Sequence, residues 1–159
     1  MHIAEEAGYD FDLLKGVVTV NDEQFARVAA KVVDAAGGSV AGKTIAVWGL
    51  TFKARTDDLR ESPSLEVIRR LVEQGAKVRG YDPAVHRHLE GVEVVDDPYG
   101  VCEGAEVLVV LTEWDEFRWL DFDKVAAALN HRSVVDARNL LDRQSLRRRG
   151  FTVAGIGRV

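Results

Sequence analysis

Apolar positions recur along this chain with two different periods, and the change from one to the other divides it. Over the first 40 residues, Phe11, Leu14, Val18, Phe25, Val28, Ala29, Val32, Val33 and Ala36 fall at three- and four-residue steps, the spacing of one helix face. An unbroken helix from Phe11 to Ala36 would run roughly 39 Å at 1.5 Å per residue. That is longer than a small sheet needs for cover, so part of the stripe is expected to pack on another chain or domain. Two features point instead to a shorter helix beginning at Asn21. Val17-Val18-Thr19-Val20 is a β-branched run, and Asn21 with Gln24 has the spacing of a cap and its partner. Both versions stay open, and Gly37-Gly38 ends either one.

From Ala41 onward short apolar runs alternate with helical patterns. Thr44-Ile45-Ala46-Val47-Trp48 reads as a strand buried on both faces, closed by Gly49. Ser62-Pro63-Ser64 predicts a helix start, with Ser62 as cap and proline at the first helical position. Leu65, Val67, Ile68, Leu71 and Val72 form its buried face, and Gly75 stops it. Strands follow at Lys77 to Tyr81, more weakly at Val92 to Val95, and most clearly at Glu106 to Leu111. Asp123 to Leu129 reads as a helix, Ser133 to Val135 as a strand, Ser145 to Arg149 as a helix turn and Phe151 to Ile156 as the last strand. This alternation predicts an α/β fold: a doubly wound, mostly parallel, Rossmann-like sheet with an N-terminal helical arm. The predicted division is a helical segment over 1–40 and an α/β domain over 41–159.

Composition narrows the partners. With a net charge of -5 and a pI near 5.4, the chain has no overall field for nucleic acid or an anionic membrane. Any anionic ligand must be held by locally placed cations. The single Cys102 excludes an intrachain disulfide framework, and no apolar run approaches the length of a membrane span. A cytoplasmic protein without nucleic-acid or membrane partners is expected.

Ligands of doubly wound sheets bind outside the carboxyl ends of the strands, so the residues after each apolar run carry the candidate chemistry. The first such loop, Gly49 to Glu61, holds Lys53, Arg55 and Arg60 and leads into the free N–H groups near Ser62, a ready anion site. The plainer reading pairs those cations with Asp57 and Asp58 on a solvated surface; spacing leaves both open. Gly49 is a lone glycine, so the dinucleotide fingerprint is absent. Asp82 stands where a ribose-binding acid often sits, but the Pro83 after it favours a turn residue. The aromatics of Thr112 to Phe117 suit core or rim packing better than base stacking. Arg138 could reach a phosphate or pair with Asp136 or Asp142. Cys102 has no local cation to activate it, and His2, His86, His88 and His131 are too scattered for a metal site.

Several of these segments together resemble one family. Gly49-Leu50-Thr51-Phe52-Lys53 followed by Thr56-Asp57-Asp58-Leu59-Arg60-Glu61-Ser62-Pro63-Ser64 is similar to the C-terminal signature of the UDP-glucose/GDP-mannose dehydrogenases. Gly75-Ala76, Tyr81-Asp82-Pro83, Thr112-Glu113-Trp114-Asp115-Glu116-Phe117 and Asp136-Ala137-Arg138-Asn139 follow in that family's order. Val20-Asn21-Asp22-Glu23-Gln24 resembles the end of its central domain and connecting helix. The aromatic block resembles the UDP-glucose branch more than those acting on GDP-mannose or N-acetylmannosamine.

The resemblance implies roles residue by residue. Phe52 and Lys53 match positions that contact the UDP-sugar, and Arg60 matches an arginine reaching NAD across a cleft. Arg138, or Asn139 beside it, matches a position near the substrate phosphates or sugar. A homodimer through the N-terminal helix is implied as well. The family oxidises a sugar C6 alcohol to a carboxylate in two NAD-dependent steps through a cysteine thioester. Its nucleophile and Gly-rich NAD domain lie upstream of these motifs, and Cys102 does not match the nucleophile's motif. The chain alone is therefore expected to bind UDP-sugar without catalysing, as a piece of a longer protein. The contrasting expectations are a ligand-free dimerisation or scaffold module, and an NAD-binding domain, which the lone Gly49 disfavours.

Overall fold

The runs of branched apolar residues pair side by side, as strands covered on both faces must. In the computed structural model, which describes residues 12–157 and side chains from residue 20, β1 (Thr44–Trp48) is central. It lies parallel to β2 (Lys77–Tyr81) on one side, with the short β3 (Val92–Val94) beyond β2, and to β4 (Val107–Val110) on the other. β5 (Ser133–Asp136) and β6 (Thr152–Gly155) continue the sheet, giving the all-parallel order β3-β2-β1-β4-β5-β6. The direction of winding reverses between β1 and β4, which makes the crevice above those strands the switch point.

Each strand of the centre feeds two cores, because alternate side chains point to opposite faces. Ile45, Val47, Val107, Val109 and Val135 pack under two helices, α1 (Asp12–Ala35) and α2 (Pro63–Glu73). Ala46, Trp48, Leu108, Val110 and Val134 pack on the other face, against Val101, Phe117, Val125 and Leu146. The last two belong to α3 (Phe122–Ala128) and α4 (Arg143–Arg148). Crossovers running leftward from β1 and rightward from β4 must put their helices on opposite faces. That leaves one face bare over β4 and β5, and α1 covers it with Val28, Ala29, Val32 and Ala36.

Three sequence expectations need correction. The helix is not restarted at Asn21: α1 runs unbroken through the β-branched run, roughly 36 Å at 1.5 Å per residue. β-Branched residues lower helix propensity by only tenths of a kcal/mol each, which burial of Val28 and Val32 outweighs. Of the predicted stripe, Phe11 and the side chains of Leu14 and Val18 lie outside the described residues. Gly37 and Gly38 do end the helix, at φ 85 and 91, with Gly38 N–H bonded to Val33 O at 2.9 Å. Second, α3 and α4 begin earlier than the apolar pattern suggested. Asp121 accepts from the amides of Asp123 and Lys124, and Asp142 from those of Gln144 and Ser145, so each aspartate is the cap. Third, Ser62 occupies the cap position of α2 but makes no side-chain cap; its hydroxyl donates to Leu50 O at 2.8 Å instead. Among the described residues no helix is long and apolar enough to cross a membrane.

Candidate functional site

The carboxyl edge of the sheet is built by two loops. The first, between β1 and α2, leaves the sheet through Gly49 at φ 92. A Cβ there would lie 1.7 Å from Thr112 Oγ1, so only glycine lets this loop pass so close to the end of β4. The loop then turns onto Asp82, the acid that ends β2. Asp82 Oδ2 accepts from Leu50 N (2.7 Å), Thr51 N (3.1 Å), Thr51 Oγ1 (3.0 Å) and Trp114 Nε1 (3.3 Å). Oδ1 accepts from Ala84 N at 2.9 Å. Asp82 does begin a turn, as expected, with Val85 N–H bonded to its carbonyl at 3.2 Å, but it is also 1% exposed and gathers three segments.

The next residues project from this anchored turn. Phe52 is 46% exposed, an aromatic face open to solvent, and Lys53 beside it is exposed. The other two cations of the loop are paired, but of the pairing with Asp57 and Asp58 that the plainer reading anticipated only Arg60 with Asp58 forms. Arg60 binds Asp58 through Nε and a terminal nitrogen (3.0 and 2.9 Å), which holds Asp58 down at about 2. Arg55 reaches Asp115 at 2.8 Å. Asp57 and Lys53 have no ion pair within 4 Å among the described residues.

The second loop follows β5. Asp136, buried, accepts from Arg138 N (3.1 Å) and Leu141 N (2.8 Å), folding the backbone so that Arg138 turns inward. Its guanidinium donates to Leu111 O at 2.7 Å and lies 3.3 Å from Glu113, rather than on Asp136 or Asp142. Asn139 points elsewhere, its amide donating to Ile156 O at 3.1 Å. The only described non-glycine residues at positive φ are Arg55, Glu61 and Asn139, all on these two loops. Such strain concentrates where a surface must hold a particular shape.

Arg138 and the start of α2 meet in one hollow of about 150 Å³, lined also by Phe25, Val28 and Leu111. Ser64 lines it too, and its buried hydroxyl has no hydrogen-bond partner among the described residues. Spacing gave no hint of Ser64; what singles it out is an unsatisfied donor beside a helix N-terminus. Next to this hollow an open groove of about 780 Å³ carries Phe52, Leu59 and Pro63. Lys53 lines neither, although its loop borders the groove.

The other polar candidates are separate. Cys102 is buried, its thiol pushed up to about 12 by desolvation, and its sulfur rests 3.6 Å from Pro98 O. Burial and then Glu116, which accepts from its hydroxyl at 3.0 Å, push Tyr81 up, so it stays a neutral donor. His86 pairs with Asp96 and His131 with Glu106. Among the described residues no group of three or more His, Cys, Asp or Glu gathers.

Comparison with known proteins bears on this edge directly. The model of the UDP-glucose/GDP-mannose dehydrogenase family, UDP binding domain, matches residues 46–143, which hold both loops. The chain belongs to this family. It is 42% identical over 150 residues to a UDP-glucose 6-dehydrogenase of Rhizobium meliloti (strain 1021), covering 92% of this chain and 34% of the relative. A UDP-glucose 6-dehydrogenase of Pseudomonas aeruginosa is 38% identical, with 98% and 36% covered. Among solved structures, a UDP-D-ManNAc dehydrogenase from Pyrococcus horikoshii superposes with a TM-score of 0.78 at 28% identity, covering 98% of this chain and 36% of that one. A UDP-glucose dehydrogenase from Pyrobaculum islandicum gives 0.70 at 31% identity, with 87% and 32% covered. The chain spans about a third of the length of the curated relatives it matches. It corresponds to the family's UDP-binding domain.

The family's other ligand, NAD, does not fit the switch point of this domain. The acid that would hold a ribose, Asp82, has its oxygens taken by five internal donors. Gly49 has no second glycine behind it to admit a pyrophosphate to the backbone.

Proposed function

We propose that this chain is the UDP-sugar-binding part of an NAD-dependent UDP-glucose 6-dehydrogenase. The parent reaction is the two-step oxidation of UDP-glucose to UDP-glucuronate, with the chain itself binding but not catalysing. The observation that carries this reading is the convergence of Arg138, the Ser64 hydroxyl and the N-terminus of α2 on one hollow, with Phe52 on the adjoining groove. A diphosphate needs a planar cation, free amides and a hydroxyl within reach, and a nucleotide base needs a flat apolar face. Of the pair Arg138 and Asn139, the geometry favours Arg138, because the Asn139 amide is engaged with Ile156.

Lys53, exposed at the mouth of this edge, adds a mobile positive charge for the outer phosphate or sugar. Arg60, on the far side of the same loop and held among the described residues by Asp58, is the residue proposed to reach an NAD bound outside this domain. The division read from the sequence, an arm over 1–40 and a sugar-nucleotide domain over 41–159, is kept in this reading, with residues 1–11 and 158–159 lying outside the described ones. From Val20, which is 64% exposed, to Arg27 no side chain of α1 is buried, which suits packing of a second copy against this part of the helix.

Titration of UDP and UDP-glucose into the chain tests the reading. Binding is expected, and Lys53→Ala should weaken it about threefold to tenfold, the loss of one exposed charge contact. No heat with either ligand, together with dimers in sedimentation, would support the ligand-free scaffold instead. NAD binding without UDP binding would reverse the assignment.

A further inference from the structure

The amides that follow β1 are the ones a dinucleotide fold turns toward a phosphate. Here Leu50 N–H and Thr51 N–H point at a carboxylate of the chain itself, with Asp82 Oδ2 at 2.7 and 3.1 Å. The Thr51 hydroxyl, shared with Lys53 O at 3.1 Å, and the Trp114 indole close on the same oxygen at 3.0 and 3.3 Å. All five donors to Asp82 are neutral N–H or O–H groups, and the residue is almost wholly removed from water. A buried carboxylate is tolerated only when its lone pairs are met, so the loop is confined to the one geometry that meets them. Phe52 and Lys53 are the very next residues.

We propose that Asp82 is a built-in anion. It takes the amide nest of the first loop, thereby setting the Phe52–Lys53 turn for a UDP-sugar and denying that nest to a dinucleotide phosphate. Asp82 touches no ligand; it is a positioning residue that works through Leu50 and Thr51. The proposal rests on the reading of Phe52 and Lys53 as ligand contacts. Trp114 joins the device from the end of β4, which gives the Thr112 to Phe117 segment a part in the site.

The test uses Asp82→Asn, with Leu146→Ala as a control that weakens the distant core of the opposite face. UDP is the probe, titrated well below the melting point of each variant. Asp82→Asn should weaken UDP by about tenfold, the usual scale for losing a charge-assisted contact, while Leu146→Ala leaves affinity within about twofold. Equal losses in both variants, or an unchanged affinity in Asp82→Asn, overturn the proposal. Amide hydrogen exchange separates this outcome from failure of the underlying reading. Leu50 and Thr51 should exchange at least about tenfold faster in Asp82→Asn while Val109 keeps its protection. If the unaltered chain binds no UDP, the ligand assignment falls, and with it the sugar-nucleotide half of the proposal; unchanged exchange at Leu50 and Thr51 removes the other half. Should Asp82→Asn not fold, Thr51→Val, which removes one donor, is expected to weaken UDP where Thr51→Ser, which keeps it, does not. Identical affinities in those two variants count against the proposal equally.

Discussion

Truncating Arg138 removes the one guanidinium that, among the described residues, lines the hollow by the start of α2, and its cost can be worked from its surroundings. A hydrogen bond to a charged partner is worth about 1.5–3 kcal/mol. Arg138 sits in the lower part of that range. Its side chain is 34% exposed, and Leu111 O and Glu113 already engage it at 2.7 and 3.3 Å, so a phosphate must share the charge. About 1.5 kcal/mol corresponds to roughly a tenfold loss of affinity. Calorimetric titration should therefore show Arg138→Ala binding UDP about tenfold more weakly, with Arg138→Lys recovering only part because an ammonium lacks the planar fork. Uridine, which has no phosphate, should bind the altered and unaltered chains alike. Glu113→Gln should strengthen UDP binding by a few-fold (about 0.5–1 kcal/mol), since a competing anion has been neutralised without disturbing the loop. The Arg138 effect should also shrink with added salt. An equal loss for uridine and UDP would refute the reasoning, because Arg138 would then be acting on the fold and not on a phosphate.

Three further outcomes follow from other parts of the molecule. Gly49→Ala places a methyl 1.7 Å from Thr112 Oγ1 at φ 92 and should cost at least about 2 kcal/mol, read as a lower urea midpoint. A midpoint unchanged from the unaltered chain would show that the loop does not pass there. NMR titration should place the Asp58 carboxyl at about 2, with Arg60→Ala moving it up toward 3.8. Because the folded-state value is depressed, this pair's contribution to stability is present above 3.8 and is lost as pH falls through about 2. An Asp58 midpoint already near 3.8 in the unaltered chain would show that the pair does not form. Cys102, held up at about 12 by burial, should resist iodoacetamide at pH 8 in the folded chain and react on unfolding. Labelling as fast as that of a free peptide thiol would contradict its burial.

The strands of the sheet were legible because burial on both faces demands unbroken apolar runs, and β1, β4 and β5 have them. Helix ends were legible where a backbone requirement selects one residue type, as at Pro63 and at Gly37-Gly38. The loop motifs were legible as a family signature in linear order. Chain position did not reveal which of their side chains face each other. Ser62 has the look of a cap, yet its hydroxyl belongs to Leu50 O. Asp82, next to Pro83, has the look of a turn residue, and 32 residues separate it from both Thr51's neighbour Leu50 and Trp114.

Period and residue type are properties of neighbours along the chain, and they suffice to indicate strands, helix stops and a doubly wound, mostly parallel sheet. Arg138's choice of Glu113 over Asp136, the orphaned hydroxyl of Ser64 and the five donors on Asp82 arise where strands distant in sequence end side by side. There distance in space, and the loss of competing water, select a partner that linear spacing cannot.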